Sequence, residues 1–216
     1  MSRYQLIVFD WDGTLMDSTS HIVNCMQQAI TQLSLPALED SAINHVIGLG
    51  LNEAAYALYP NASVETVEQL ANSYRETWLN NPHDSPLFDH AINLIKRLAE
   101  QDYFLGVATG KSRRGLDKVL TSTGLRSYFH GTRCADECHS KPHPQMLEEL
   151  IDYFGVDPKQ TLMIGDTEYD LQMANNAGTD SLGISHGAHD MATLRACQPQ
   201  AIVDSLHQVE HFLNDL

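Results

Sequence analysis

Two hydrophobic patterns divide the chain. Short apolar runs predict strands at residues 6–9, 103–108, 132–134, 161–164, 181–184 and 201–203. Apolar residues at helical spacing lie between successive runs in the second half, and two of these segments end at Gly124 and Gly155, typical positions for a helix C-terminus. Strands that alternate with helices predict an α/β protein, with a parallel, Rossmann-like sheet covered by helices on both faces.

The segment from residue 17 to residue 81 shows the helical pattern alone. Its apolar positions recur every three or four residues, with Asp17 or Ser18 as the candidate N-cap of the first helix and Ser63 opening a later one. We therefore expect an inserted α-helical cap domain at residues 17–81 and a catalytic core at residues 1–16 and 82–216. The polar, proline-containing stretch 81–86 is the expected linker.

Composition excludes several classes of protein. A net charge of −15 over 216 residues argues against nucleic acid or an anionic membrane surface as a partner. No apolar stretch approaches the roughly 20 residues that span a bilayer, and Asp10 interrupts the N-terminal apolar run before it resembles a signal peptide. Four cysteines without a secretory signal indicate reduced thiols in a cytoplasmic protein. Composition does not indicate an oligomeric state.

Polar side chains follow four of the predicted strands. They are Asp10, Asp12, Gly13 and Thr14 after the first strand, Thr109, Gly110 and Lys111 after the second, Lys141 beyond the third, and Asp166 and Asp170 after the fourth. In an open parallel sheet, ligands bind outside the carboxyl ends of the strands. The sequence therefore predicts a functional site at this edge of the sheet.

The residue types indicate the chemistry of this site. Two carboxylates about 4 Å apart repel by about 4 kcal/mol at an effective dielectric near 20, so Asp10, Asp12 and Asp166 together predict a hard divalent cation, Mg²⁺. A lysine, a threonine hydroxyl and loop amides beside this cation describe a phosphate site. An EF-hand does not fit, because a loop starting at Asp10 has His21 where glutamate is required. A P-loop does not fit because its glycine-rich pattern is missing.

Phosphomonoester hydrolysis is the reaction that these groups favour. Positioning and charge neutralisation lower its barrier, and a covalent aspartyl-phosphate divides it into two steps. A pair of carboxylates two residues apart suits this chemistry, since one can attack while the other protonates the leaving oxygen and later activates water.

The same residues, in the same order across essentially the whole chain, resemble the four motifs of the haloacid dehalogenase superfamily. The residues that carry the resemblance are Asp10-Trp11-Asp12-Gly13-Thr14, Thr109, Lys141-Pro142 and Gly165-Asp166 through Asp170. Within that superfamily the chain looks like the phosphoglycolate-phosphatase-like members with a small helical cap. The resemblance implies that Asp10 is the nucleophile, that Asp12 is the general acid/base and that Thr109 and Lys141 hold the phosphoryl group. It further implies that Mg²⁺ is bound by Asp10, the Asp12 backbone carbonyl and Asp166, with Asp170 in support.

Other activities occur among proteins that resemble this pattern. Asp12 argues against a dehalogenase or a phosphonate hydrolase, which lack an acid at that position. A phosphomutase of the β-phosphoglucomutase type keeps both acids and stays an alternative, as does a non-catalytic protein that binds a phosphorylated metabolite. The expected partner is a small phosphorylated metabolite such as phosphoglycolate or a sugar phosphate.

Three further groups of residues have candidate roles. Gly48, in the glycine-interrupted cap loop 47–51, is a candidate for substrate selection if the cap closes over the site. Arg113 is a candidate reader of a substrate carboxylate. Cys134, Cys138, His139 and His143 lie within ten residues and are a weaker candidate for zinc.

Overall fold

Across residues 3–81 and 85–215, which the computed structural model describes, six strands form one parallel sheet in the order β3-β2-β1-β4-β5-β6. The strands are β1 (Leu6–Phe9), β2 (Phe104–Thr109), β3 (Gly131–Cys134), β4 (Thr161–Gly165), β5 (Asp180–Ile184) and β6 (Ala201–Val203). The helices are α1 (Thr19–Gln32), α2 (Asp40–His45), α3 (Leu51–Leu58), α4 (Val64–Asn80), α5 (Ala91–Glu100), α6 (Arg113–Ser122), α7 (Gln145–Phe154), α8 (Glu168–Ala177), α9 (Met191–Ala196) and α10 (Leu206–Asn214). The expected parallel sheet is confirmed. Residues 82–84 of the predicted linker lie outside the described residues.

The central strand β1 shows why its sequence is apolar throughout. Successive side chains of a strand point to opposite faces of the sheet. Leu6 and Val8 pack with α7 and α8 on one face, whereas Ile7 and Phe9 pack with α5, α6 and α10 on the other. Both faces of β1 are therefore buried, and β1 ends where Asp10 begins the first polar loop.

Helices α1 to α4 build a second hydrophobic cluster beyond this sheet edge. Val23, Met26, Ile43 and Leu70 belong to that cluster, and no strand lies in residues 17–80, all of which are described. The inserted helical cap is thus confirmed as part of the fold. The exact domain boundaries stay a prediction, which the separate clusters support.

The two connections between cap and sheet run side by side. The amide of Asp17 donates to the carbonyl of Pro86 at 2.9 Å, and the amide of Phe88 donates to the carbonyl of Leu15 at 2.9 Å. Met16 and Leu87 form an antiparallel bridge between these bonds. The chain therefore leaves and re-enters the core at one place.

Local details differ from the predicted pattern. Helix α2 was not predicted, because its six residues bury only one hydrophobic side chain, Ile43. Strand β2 starts at Phe104 because the amide of Tyr103 turns back to the carbonyl of Leu98 in α5. Ile92, which shares the helical spacing of the apolar residues Leu94, Ile95 and Leu98 of α5, is 41% exposed. No helix in the described part of the chain is long and apolar enough to cross a membrane.

Candidate active site

The loops after β1, β2 and β4 meet because these three strands are neighbours in the sheet. Phe9 pairs with both Val107 of β2 and Ile164 of β4, and the Asp10 amide continues the ladder to the carbonyl of Ile164 at 2.9 Å. Parallel strands that end in register place Asp10, Thr109 and Asp166 at one edge, where all three are buried. The fourth contributor, Lys141, arrives from the loop after β3.

Three carboxylates meet at this edge. Asp10, Asp166 and Asp170 each offer an oxygen, and these oxygens all lie within 4.8 Å of one another. Lys141 Nζ lies 2.8 Å from Asp10 Oδ1 and 2.6 Å from Asp170 Oδ1. Although Asp10 is ion-paired, neither of its buried oxygens receives a hydrogen bond of good geometry. These four side chains are called the carboxylate cluster below.

The cluster carries more negative charge than Lys141 neutralises. Burial raises the pKa of Asp10 to about 7, against the lowering effect of Lys141. Burial likewise raises the pKa of Asp166 well above its usual range, and the charge of Asp10 adds to this. Burial alone disfavours the Lys141 ammonium, but Asp10 and Asp170 outweigh it and raise the pKa of Lys141. Oxygen-only ligands with unsatisfied acceptors fit a hard divalent cation.

Neighbouring groups fix the carboxylate of Asp166. The hydroxyl of Thr14 donates to Oδ1 at 2.6 Å and the amide of Ala188 donates to Oδ2 at 2.7 Å. A Cβ on Gly13 or Gly187 would come within 2.2 or 2.1 Å of Asp166 Oδ2, respectively. Glycine at both positions therefore lets the backbone approach the carboxylate.

Asp170 is fixed by the start of helix α8. It accepts from the amide and the hydroxyl of Thr167 at 3.1 and 2.7 Å, and its own amide donates to the Thr167 hydroxyl at 3.4 Å. This capping box places one Asp170 oxygen against the helix end and leaves the other for Lys141.

The side chain of Asp12 lies outside the carboxylate cluster. Lys111 Nζ donates to both of its carboxylate oxygens at 2.8 Å, and the hydroxyl of Ser18 donates to Oδ1 at 2.6 Å. The expectation that the Asp12 carboxylate crowds against Asp10 and Asp166 is therefore wrong, because Asp170 is the third member. Ser18, one of the two predicted candidates, is the N-cap residue of α1, but its hydroxyl donates to Asp12 and accepts no hydrogen bond from the helix amides.

Lys111 is a residue of this site to which the sequence pattern assigned no role. Its position two residues after Thr109, just beyond the end of β2, was the sequence feature that could have assigned it to the site. The Lys111 side chain is 10% exposed, and its Nζ lies 5.1 Å from the ring centroid of Trp78 on cap helix α4. Trp78 in turn contacts the rings of His21 and Tyr74. Lys111 thus joins Asp12 of the core to an aromatic surface of the cap.

The cap loop 47–51 closes directly against the core loops. A Cβ on Gly110 would lie 2.7 Å from the carbonyl oxygen of Gly48 and 2.5 Å from that of Leu49. The amide of Gly50 donates to the hydroxyl of Ser140 at 2.7 Å. Gly48 itself has φ +99°, and a Cβ there would lie 2.9 Å from Thr167 Oγ1. Only glycine at positions 48 and 110 permits this approach of cap to core.

Arg113 is not brought to the carboxylate cluster. Its guanidinium donates to Glu137 at 2.9 and 2.8 Å and to the hydroxyl of Thr132 at 2.7 Å. These partners come from the edge strand β3 and the loop after it, so the guanidinium is bonded at the edge of the sheet.

The candidate zinc residues do not form a ligand group. Among the described residues, two sets of three or more possible ligands lie close enough to share an ion, and Cys134, Cys138, His139 and His143 form neither. The second set is His45, Glu168 and His189. There, His189 Nδ1 lies 3.1 Å from the Glu168 amide and Nε2 lies 3.0 Å from the His45 carbonyl, so both ring nitrogens are engaged.

Comparison with known proteins identifies the family. The model of the haloacid dehalogenase-like hydrolase family matches residues 7–184, and the chain belongs to this family. A relative named "Probable phosphatase IndB", from Dickeya dadantii (strain 3937), is 36% identical over 210 residues, covering 94% of this chain and 91% of the relative. A "Phosphoglycolate phosphatase" from Nitrosococcus oceani is 28% identical and covers 99% of this chain and 98% of its own.

The solved structures agree on the fold. The crystal structure of a haloacid dehalogenase-like hydrolase from Bacteroides fragilis superposes with a TM-score of 0.89 at 24% identity, covering 95% of this chain and 99% of its own. The predictions of the family, of the α/β fold and of an enzyme of the phosphoric monoester hydrolase class are confirmed.

Proposed function

We propose that this protein is a Mg²⁺-dependent phosphatase that hydrolyses a small-molecule phosphomonoester through an aspartyl-phosphate intermediate. The observation that carries the proposal is the carboxylate cluster itself. Lys141 is shared between Asp10 and Asp170, and the buried oxygens of Asp10 lack a hydrogen bond of good geometry. A nucleophile held by one ammonium, with open acceptor capacity, suits attack on a phosphoryl group beside a cation.

The first half-reaction transfers the phosphoryl group to Asp10. A carboxylate oxygen of Asp10 forms a bond to phosphorus as the ester P–O bond breaks, and Asp12 gives its proton to the departing alkoxide. Thr109, the amide of Gly110 and Lys141 bind the phosphoryl oxygens. Lys141 adds the positive charge that the transferring group requires.

The second half-reaction returns Asp10 to its starting state. Asp12 now takes a proton from water, the water oxygen attacks phosphorus, and the bond between phosphorus and Asp10 breaks to release inorganic phosphate. A carboxylate that donates and later accepts one proton needs freedom to move between partners. Asp12 lies outside the carboxylate cluster, where Lys111 and Ser18 hold it, so it has to leave these partners during the reaction.

The donor set fits Mg²⁺. Asp10, the backbone carbonyl of Asp12 and Asp166 would hold the ion, and Asp170 would support it by holding Lys141. When bound, Mg²⁺ neutralises charge on the carboxylates and on the phosphoryl oxygens.

The closed cap supports a small substrate. The carbonyl oxygens of Gly48 and Leu49 approach the backbone of Gly110. A cap this close to the phosphoryl-binding loop excludes water from the reaction and leaves little room for a protein or polynucleotide chain. The net charge of −15 agrees, because it offers no basic surface for nucleic acid.

The Asp10→Asn variant tests the nucleophile. We expect phosphate release from p-nitrophenyl phosphate to fall by several orders of magnitude, because the amide is a poor nucleophile. Asp152→Asn is the matched control, since Asp152 is an exposed residue of α7. Mass spectrometry of the native protein, quenched during turnover with Mg²⁺, should locate a phosphoryl group on Asp10.

Near-native turnover by an Asp10→Asn preparation shown to be free of deamidation would contradict the covalent mechanism. Transfer of the phosphoryl group to a second hydroxyl of the product, without phosphate release, would identify a phosphomutase instead. Binding of phosphorylated metabolites without any turnover would identify a non-catalytic binding protein.

A further inference from the structure

Lys111 holds the carboxylate that the proposed mechanism must release. Its ammonium lies 2.8 Å from both oxygens of Asp12, and the Ser18 hydroxyl lies 2.6 Å from one of them. To protonate a leaving oxygen, Asp12 has to direct one of these oxygens at the substrate. Productive substrate binding therefore loosens the Lys111–Asp12 ion pair.

The ammonium of Lys111 lies in a place that water reaches poorly. Its side chain is 10% exposed, and the indole of Trp78 lies over Nζ at 5.1 Å. A mostly buried ammonium that loses its carboxylate partner is strongly destabilised unless another anion replaces it. The aromatic ring supplies part of the missing stabilisation, but it does not replace a full negative charge.

Two other basic side chains near this site are already paired. Lys141 is ion-paired with Asp10 and Asp170 and, in the proposed mechanism, binds the phosphoryl group. Arg113 is bonded to Glu137 and Thr132. Lys111 lies between Asp12 and Trp78 of the cap, and the leaving alcohol must come beside Asp12 if Asp12 is to protonate it.

We propose that Lys111 is a specificity-determining residue that binds a second anionic group on the leaving alcohol of the substrate. The preferred substrate is then a phosphomonoester whose alcohol carries a carboxylate or a second phosphate close to the ester oxygen, rather than a neutral sugar phosphate. The second anion takes the place of Asp12 beside Lys111 and frees Asp12 for proton transfer. This inference rests on the proposed phosphatase function and deepens it.

The experiment compares phosphate esters of one two-carbon backbone whose alcohol carries an anionic or a neutral second group. The carboxylate arm is 2-phosphoglycolate, the phosphate arm is ethylene glycol bisphosphate, and the neutral reference is 2-hydroxyethyl phosphate. We expect native kcat/KM to favour at least one anionic ester over the neutral one by about 10- to 100-fold, as a hydrogen bond between charged groups provides. Whichever anionic ester is preferred identifies the second group.

The Lys111→Met variant should bring this ratio close to one, and Lys111→Arg should restore part of it. Lys118→Met is the matched control: it removes an equal charge from an exposed position on α6 and should keep the native ratio. The quantity measured is the ratio of kcat/KM between two substrates. A disturbed Asp12 that lowers activity on all substrates equally therefore leaves this ratio unchanged. If Lys111→Met does not fold, Lys111→Gln makes the same test.

A native enzyme that prefers the neutral ester, or a Lys111→Met variant that keeps the native ratio, would overturn the inference while leaving the phosphatase proposal intact. Failure to release phosphate from any of these esters and from p-nitrophenyl phosphate, with Mg²⁺ present, would overturn the proposed function, and this inference with it.

Discussion

The two acidic residues of the first loop, Asp10 and Asp12, lie in contrasting surroundings. Asp10 is buried in the core with Asp166, Asp170 and Lys141, and all of its charged neighbours come from the sheet and its loops. Asp12 lies two residues away but faces the cap, where it is bonded to Lys111 and Ser18. The buried surroundings of Asp10 suit a fixed nucleophile and a metal ion, whereas the surroundings of Asp12 depend on both the core, through Lys111, and the start of the cap, through Ser18.

Metal removal should have the largest effect, and it acts on the carboxylate cluster. We expect EDTA to abolish phosphate release and Mg²⁺ to restore it, because Lys141 alone does not neutralise three buried carboxylates. Mg²⁺ should also raise the melting temperature, since it binds the folded state. The stabilisation should be much smaller in Asp166→Asn. Full activity in a sample shown to be metal-free would contradict a metal site at this cluster.

The next largest effect is a loss of activity that depends on the leaving group for Asp12 but not for Lys141 of the carboxylate cluster. Asp12→Asn should slow poor leaving groups by about 10²- to 10⁴-fold and good ones far less, because only a poor leaving group needs a proton. Lys141→Ala should slow both alike, because it removes charge from the transferring phosphoryl group. Steady-state kinetics with alkyl phosphates and p-nitrophenyl phosphate measure the difference. Equal losses for Asp12→Asn across alcohols of very different pKa would remove its assignment as general acid.

A smaller effect is expected from Gly48→Ala, which acts on the cap side alone. The new Cβ would meet Thr167 Oγ1 at 2.9 Å and push the cap loop away from the core. We expect kcat/KM for small metabolites to fall about tenfold, equivalent to about 1.4 kcal/mol, and their ranking to change, while activity on p-nitrophenyl phosphate survives, because the cap loop selects the substrate and the core supplies the chemistry.

Gly124→Ala is the matched control for this loop variant. Gly124 also has positive φ, at +71°, but nothing lies within 4 Å of a Cβ built there. It should lose about 1–2 kcal/mol of stability from backbone strain with kcat/KM unchanged. An equal loss of kcat/KM in both variants would show that backbone strain, rather than cap closure, explains the Gly48 effect.

The carboxylate cluster was largely predictable because it depends on strand ends. Parallel strands that are neighbours in the sheet place their carboxyl ends together, so Asp10 and Asp166 follow from the apolar runs before them. The direction of the Asp12 side chain cannot be predicted from any apolar run of the sequence. It is decided by Lys111 from another strand and by Ser18 from the start of the cap.

Arg113 shows the same limit on the opposite side of the site. It was a candidate for contact with a substrate carboxylate, but its partners Glu137 and Thr132 come from the next strand and loop. The contact between Gly48 and Gly110 likewise depends on how the cap docks, which no local pattern describes. Residues that act through distant partners are therefore the ones that sequence patterns assign poorly.

The paired connections at Leu15, Asp17, Pro86 and Phe88 have an evolutionary consequence. The two ends of the inserted segment are bonded to each other by backbone hydrogen bonds that do not involve the rest of the insert. Insertions and deletions are tolerated best where they leave buried backbone hydrogen bonds in place. Descendants of one ancestor can therefore exchange or reshape the insert, and with it the choice of metabolite, without rebuilding the catalytic edge. A chimaera that joins this core to the cap of a relative at these residues is the direct laboratory equivalent.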